Sequence, residues 1–194
     1  MSARALLLLL ILLLTACAAP LRAPEGLARE ELRSFQIEAR FSLRLEPDPS
    51  KTEPGQGASG RLIWRHDGES DHIVFSGPLG QGLAELSSTA SGARLRLASG
   101  EVRQARDAAT LLKSFWAYPL PLNQLSSWLL GRSSGAGSLL RDAQGRPSQL
   151  TDAGWEIAYA YEDEAAEAAP SRLTVRREGE FELRLRIEEW QINH

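Results

Sequence analysis

From Phe35 to Leu45 apolar and polar residues alternate without a break. Phe35, Ile37, Ala39, Phe41, Leu43 and Leu45 take one side; Gln36, Glu38, Arg40, Ser42 and Arg44 take the other. Successive side chains of an extended chain point to opposite faces, so this period of two predicts a long, half-buried strand. The same alternation recurs downstream. Gly60 to His66 and Asp71 to Ser76 read as a hairpin turned at Asp67-Gly68. Leu83 to Ser88 and Ala93 to Ala98 read as a second pair turned near Ser91-Gly92, and Glu101 to Ala105 as a short strand after Gly100. Towards the C-terminus Ser148 to Thr151 is a weak strand, and Trp155, Ile157, Tyr159 and Tyr161 alternate cleanly. Arg172 to Arg177 and Glu180 to Ile192 form a terminal hairpin around Glu178-Gly179. Its apolar side slips phase at Glu188-Glu189 before Trp190 and Ile192, which points to a bulge.

Between the two groups of strands the period changes. Asp107 is placed to cap a helix on which Leu111, Leu112, Phe115 and Trp116 share a face. Pro119-Leu120-Pro121 breaks it. A second short helix follows, with Asn123 as candidate cap, Leu125, Trp128, Leu129 and Leu130 apolar, and Gly131 as its stop. The sum is a mainly β (α+β) chain: an antiparallel, meander-like sheet with helices inserted in the middle. Its apolar face must be covered, and two short helices cannot cover so many strands laid flat. The sheet should curl around them and leave an apolar cavity or groove, which suits an apolar ligand.

The N-terminus has a different character. Met1-Ser2-Ala3-Arg4 is a short basic start, Ala5 to Leu14 is an apolar run, and Leu14-Thr15-Ala16-Cys17 follows, with the only cysteine of the chain. This is the pattern of a secretory signal, and the run is shorter than the roughly 20 residues of a membrane-spanning helix. Its ending resembles the lipobox of bacterial lipoproteins, in which the cysteine is lipidated and becomes the first residue. A soluble exported protein with a stray thiol at its cut site is the plainer alternative. The expected organisation is a signal peptide over residues 1–16, a lipidated N-terminus and tether over 17–33, and a single domain over 34–194. Pro20 and Pro24 mark the tether. Lipid at Cys17 would leave no free thiol, and the three acyl chains implied by the lipobox resemblance would anchor stably, since two such signals suffice.

Composition narrows the function. The net charge is −3, and the arginines alternate with apolar residues, as in Arg94-Leu95-Arg96-Leu97. That is a solvated strand face and not a nucleic-acid surface, which shows as a basic patch. No enzyme signature is present: no Gly-rich phosphate loop, no nucleophile elbow, no carboxylate pair in an apolar setting. His66 and His72 flank the Asp67-Gly68 turn with Asp71 beside them; a metal site would need more ligands in a closed geometry, so they read as exposed hairpin polarity. We expect no catalysis, no metal, no cofactor and a monomer.

Two segments stand out. Gly77-Pro78-Leu79-Gly80-Gln81-Gly82 surrounds one bulky residue with turn formers. Leu79 either folds back over the sheet edge or protrudes as a finger touching membrane or substrate. Phe115 to Gly131 carries more aromatics and leucines than one helix face needs; it either fills a core or forms a lid over an acyl-chain cavity. The pattern of residues suits a binder of apolar chains, or a structural lipoprotein that docks a protein partner.

The two segments, behind a lipobox, resemble the LolB family of outer-membrane lipoprotein receptors. The likeness includes Pro78-Leu79-Gly80 between strands, Tyr118-Pro119-Leu120-Pro121-Leu122-Asn123 running into Trp128-Leu129-Leu130-Gly131, and the Trp155 and Trp190 strands. The Pro47 to Gly57 loop has no clear counterpart. The resemblance implies an incomplete antiparallel barrel with helices as a lid over an apolar cavity. It implies a protein in the outer membrane, lipid-anchored at Cys17 and facing the periplasm; Ala18 and Ala19, with no aspartate, are compatible with that sorting. Its partners would be the periplasmic carrier LolA, cargo lipoproteins and outer-membrane lipid. Pro78, Leu79 and Gly80 would form the membrane-insertion loop, with Leu79 promoting transfer into the bilayer. Phe41, Leu43, Trp64, Phe75, Leu86, Leu97, Phe115, Trp116, Trp128, Trp155, Tyr159 and Trp190 are the candidates for the cavity face.

Overall fold

The computed structural model describes residues 32–46, 57–116, 118 and 120–191. Cys17, the tether up to residue 31, the loop over 47–56, Ala117, Pro119 and Ile192 lie outside the described residues.

Among the described residues eleven strands form one sheet. They are β1 (Phe35–Leu45), β2 (Gly57–His66), β3 (Asp71–Ser76), β4 (Gly82–Thr89), β5 (Gly92–Leu97) and β6 (Val102–Ala105), then β7 (Ser138–Arg141), β8 (Pro147–Asp152), β9 (Trp155–Ala160), β10 (Arg172–Arg177) and β11 (Phe181–Gln191). The order across the sheet is β6-β5-β4-β3-β2-β1-β11-β10-β9-β8-β7, and every neighbouring pair is antiparallel. Each group is thus a meander, and the first and last strands join the two groups in the centre. Between Glu38/Glu189 and Ala39/Ile187 the β1–β11 register shifts and leaves Glu188 as the extra residue, the bulge expected from the phase slip.

Two helices, α1 (Ala108–Trp116) and α2 (Leu122–Leu129), lie in the connection from β6 to β7, the two edges of the sheet. A flat sheet of this size would be about 48 Å wide at 4.8 Å per strand. Helices of nine and eight residues are about 14 and 12 Å long. They nevertheless touch strands from β6 through β1 and β11 to β9. The sheet therefore rolls around them into an open barrel that does not close, and the apolar faces meet inside: Phe35, Ile37, Phe41, Trp64, Leu86, Leu95, Ile157, Val175 and Leu185 are all buried.

Local chemistry sets the helix ends. The Asp107 carboxylate accepts the Thr110 amide at 2.8 Å, so Asp107 caps α1 as its position predicts. At α2 the expectation needs correction. The helix begins at Leu122 behind Pro121, no side chain caps it, and Asn123 lies inside the first turn, where its carbonyl accepts the Ser126 hydroxyl. Proline at the helix start fits because its missing N–H has no intrahelical partner there. Gly131 ends the helix in the left-handed region at φ 73°, with its amide on the Trp128 carbonyl and the Arg132 amide on that of Ser127.

Two strand boundaries also differ from the sequence reading. β2 starts at Gly57, because Gly57 to Gly60 pair with Arg44 to Phe41 although they carry no apolar alternation. β7 is an unexpected edge strand recruited by β8; its Leu140 faces solvent, which hides the period.

Candidate apolar gap and exposed loop

The apolar interior between sheet and helices holds a small gap of about 20 Å³. Its lining is wholly apolar: Phe41, Leu62, Trp64, Ile73, Phe75, Leu183 and Leu185 from the sheet, and Leu112, Trp116, Leu120, Leu122 and Leu125 from the helical segment. Space for about one water molecule remains, and the lining offers no polar group to hold it. The helical side chains fill most of the barrel interior and cover the apolar face of the sheet.

Trp116 is central to this cover. Its ring lies 4.8 Å from Phe75, 5.4 Å from Phe41 and 5.3 Å from Phe115. It lines the dry gap and also a second pocket of about 270 Å³ at the barrel rim, beside Leu43, Leu45, Ala58 and Phe115. One half-buried indole thus separates an open rim pocket from the interior. A wider void of about 780 Å³ lies between the β2–β3 and β4–β5 turns and α2, but its lining is polar, including Arg33, His66, Glu69 and Asn123. That mixed, mostly polar set of side chains suits an acyl chain less well than the wholly apolar gap does.

The cavity candidates separate into groups. Phe41, Trp64, Phe75 and Trp116 line the gap. Leu43 and Phe115 line the rim pocket. Leu86 and Leu97 belong to the core on the β4–β5 side, Leu97 only half-buried. Trp190, also half-buried, packs edge-on to Phe35 at 5.8 Å and donates to the Pro170 carbonyl. Trp128, Trp155 and Tyr159 form the seat of α2. Eight further residues line the gap, among them Leu62, Ile73, Leu120 and Leu183, and a reading guided by aromatic density passes over them. The strand phase that points Phe41 and Trp64 inward points Leu62 and Ile73 inward too.

The two helices are held differently. Trp128 is fully buried, and its indole donates to Asp152 at 2.9 Å; the Ser134 amide and hydroxyl donate to the same carboxylate. Burial alone would push the Asp152 carboxyl up, but these donors together bring it below the usual carboxylate range. The Tyr159 hydroxyl adds a 2.7 Å bond to the Trp128 carbonyl. The C-terminal end of α2 is therefore bolted to β8 and β9. The body of α1 meets the sheet by packing, with long bonds of 3.3 and 3.4 Å from Arg103 to Ser114. Between the helices Tyr118 stacks on Phe181 at 4.4 Å and donates to Glu180; burial and that carboxylate push its phenol up to about 12.

Leu79 is 95% exposed. The Gly80 amide bonds the Gly77 carbonyl at 2.9 Å and the Gly77 amide bonds the Gln81 carbonyl at 2.8 Å, so two bonds brace the loop. Gly80 takes φ 85°, which only glycine adopts freely. Pro78 fixes the preceding backbone. Leu79 does not fold back over the sheet edge. Exposing an isoleucine or leucine is ordinary, but one on a braced turn at nearly full exposure has no packing role.

The histidines do not face each other. Asp71 is buried and accepts both the Trp64 indole at 2.7 Å and His66 Nδ1 at 2.9 Å, whereas His72 reaches Glu85 on β4 at 2.7 Å. His66 and Asp71 thus fasten the turn beneath Trp64 and are not merely exposed polarity.

The family model described as "Outer membrane lipoprotein LolB" matches residues 33–190. A protein of Dechloromonas aromatica named outer-membrane lipoprotein LolB is 43% identical over 188 residues, covering 95% of each chain. One of the same name from an Azoarcus species is 35% identical, covering 93% of this chain and 90% of its own. Among solved structures, a LolA superfamily protein from Nitrosomonas europaea superposes with a TM-score of 0.51 at 13% identity, over 86% of this chain and 90% of that one; this likeness supports the fold. By the extent of the match and the identity of its relatives, the chain belongs to the LolB family.

Proposed function

We propose that this protein is an outer-membrane lipoprotein, anchored through lipid on Cys17, that accepts lipoproteins from the periplasmic carrier LolA and passes them to the outer membrane. The observation that carries the reading is the interior: a wholly apolar lining covered by two short helices, only one of which is bonded firmly to the sheet. Acyl chains of the cargo would enter by displacing Leu112, Trp116 and Leu120, with Leu122 and Leu125 of the fixed helix left as part of the lining. The apolar surface that these side chains uncover is covered again by the incoming chain, so opening need cost little net burial. The part that moves is α1 with the residues up to Leu120, pivoting on the seat of Trp128. No covalent chemistry is needed; direction follows from relative affinities for the chains.

Leu79 serves the delivery step. Burying one leucine is worth roughly 1.5–3 kcal/mol, enough to bring a bilayer to the barrel and too little to anchor the protein. Residues 34–194 act as one lipoprotein-binding unit, and residues 17–33 as its tether.

The test is transfer in vitro. The chain from residue 17 with Cys17→Ala, mixed with lipoprotein-loaded carrier, should take up the lipoprotein; if none moves across, the receptor reading fails. Leu79→Glu should keep folding and uptake and lose delivery to liposomes. Unchanged delivery would remove the loop from the mechanism.

A further inference from the structure

A row of arginines crosses the outer face of the sheet. Arg172 on β10 stands opposite Arg186 on β11, Arg186 opposite Arg40 on β1, and Arg40 opposite Arg61 on β2. All four are exposed. Directly opposed residues have Cβ atoms about 5 Å apart, and like charges there work against folding. Elsewhere on this face carboxylates meet several arginines: Glu85 pairs with Arg96, and Glu182 lies between Arg176 and Arg184, whereas Arg65 donates to Gln36 and stands apart from Arg94 with no directly opposed arginine. In the row only Arg40 is met, by the bulge residue Glu188 at 2.6 Å. Among the described residues no carboxylate pairs with Arg61, Arg172 or Arg186. A chain of net charge −3 therefore concentrates guanidinium groups along one line, where the described carboxylates do not balance them.

The line has a direction. Its next positions in register are Ser76 on β3 and Gly82 on β4, and these two residues flank the loop that carries Leu79. The basic row runs to the foot of the exposed leucine. Three strand spacings make it about 14 Å long, wider than a single phosphate. Guanidinium groups match phosphate oxygens with paired N–H donors and shed water more readily than ammonium groups.

We propose that Arg172, Arg186, Arg40 and Arg61 form a docking surface for the phosphates of an anionic phospholipid bilayer, engaged when Leu79 enters that bilayer. The proposal rests on the membrane-contact reading of Leu79. The row supplies long-range, salt-sensitive attraction and orientation; the leucine supplies insertion. An acidic protein would also be attracted by the charge, but the register with the Leu79 loop favours the bilayer.

The experiment measures vesicle co-flotation at low salt, using the chain from residue 17 with Cys17→Ala; the described core lies entirely from Leu32 onward, so this chain retains it. Vesicles are equimolar phosphatidylglycerol and phosphatidylcholine, or phosphatidylcholine alone. The unaltered row should prefer the anionic vesicles, with added salt removing the preference. The R61Q/R186Q pair should lower affinity for anionic vesicles roughly 25-fold, about fivefold per arginine near a charged bilayer, and leave phosphatidylcholine binding unchanged. The R65Q/R94Q pair, of equal charge on another row of the same face, should change anionic binding far less. Leu79→Glu should lower binding to both vesicle types, which separates the leucine from the row. Equal binding to both vesicles before substitution, an unchanged R61Q/R186Q pair, or an equal loss with R65Q/R94Q overturns the proposal. So does R61Q/R186Q-sensitive binding of polyglutamate without a preference for anionic vesicles, which would assign the row to an acidic protein.

Discussion

Replacing Asp152 by alanine tests whether α2 is the fixed pivot of the helical cover. The carboxylate is 1% exposed and accepts three bonds, one from the fully buried Trp128 indole and two from Ser134. Ser134 is exposed and rehydrates when its partner goes, whereas the indole N–H is stranded in apolar surroundings. A stranded buried donor costs about 1–3 kcal/mol, and bonds to a charged acceptor sit at the upper end. We expect about 3 kcal/mol of destabilisation in urea unfolding, with an unchanged slope, and about 6–12 °C in Tm for a domain of this size. Trp128→Phe in the same background should cost little beyond its own cavity, because the N–H to be satisfied is already gone. The sign of the pH dependence is set by the lowered carboxyl. Its stabilising contribution is complete above the unfolded value of about 3.9 and is lost as pH falls through the folded value. The gap between parent and variant should therefore shrink in acid. A variant within about 0.5 kcal/mol of the parent at neutral pH, within the range of ordinary surface changes, would refute the pivot argument.

Trp116→Ala should join the dry gap to the rim pocket; the half-buried ring implies a loss of about 2 kcal/mol, below the range for a full tryptophan. An apolar dye that brightens in dry surroundings should bind more strongly to this variant, and no increase means that the two spaces are not contiguous. Gly60→Ala should unfold the protein at lower urea by about 2 kcal/mol or more, because an added methyl collides with the Ser76 carbonyl oxygen and lies 3.1 Å from the Phe41 ring; a neutral result would show that the β2–β3 pairing shifts to make room. Gly80→Ala, read by the same unfolding curve, should cost about 1 kcal/mol from the left-handed backbone at φ 85°, with open space around the new methyl.

Much of this molecule is legible in its sequence where the physics is local. Alternation in Phe35 to Leu45 and in Phe181 to Ile187 is a property of one strand and one buried face, and it returns in the burial of every second residue. The Asp107 cap, the Gly131 stop and the Glu188 bulge are each written within a few residues. So is the braced loop around Leu79, although its direction away from the sheet edge is not. Asn123 misleads because a good capping residue stands inside the first turn, after a proline able to open the helix by itself.

What lies beyond the sequence is what depends on distant partners. No local pattern states that β1 pairs with β11, yet that pairing alone turns two meanders into one sheet and sends the helices from edge to edge. The same pairing lines up Arg186 with Arg40 across residues far apart in the chain. It also decides how full the barrel is. Periodicity shows which residues face inward; only the three-dimensional packing of Trp116, Leu120, Leu122 and Leu125 against the sheet decides that about 20 Å³ of apolar space is left between them. Direction is a property of a strand or helix, whereas volume is a difference between all of them.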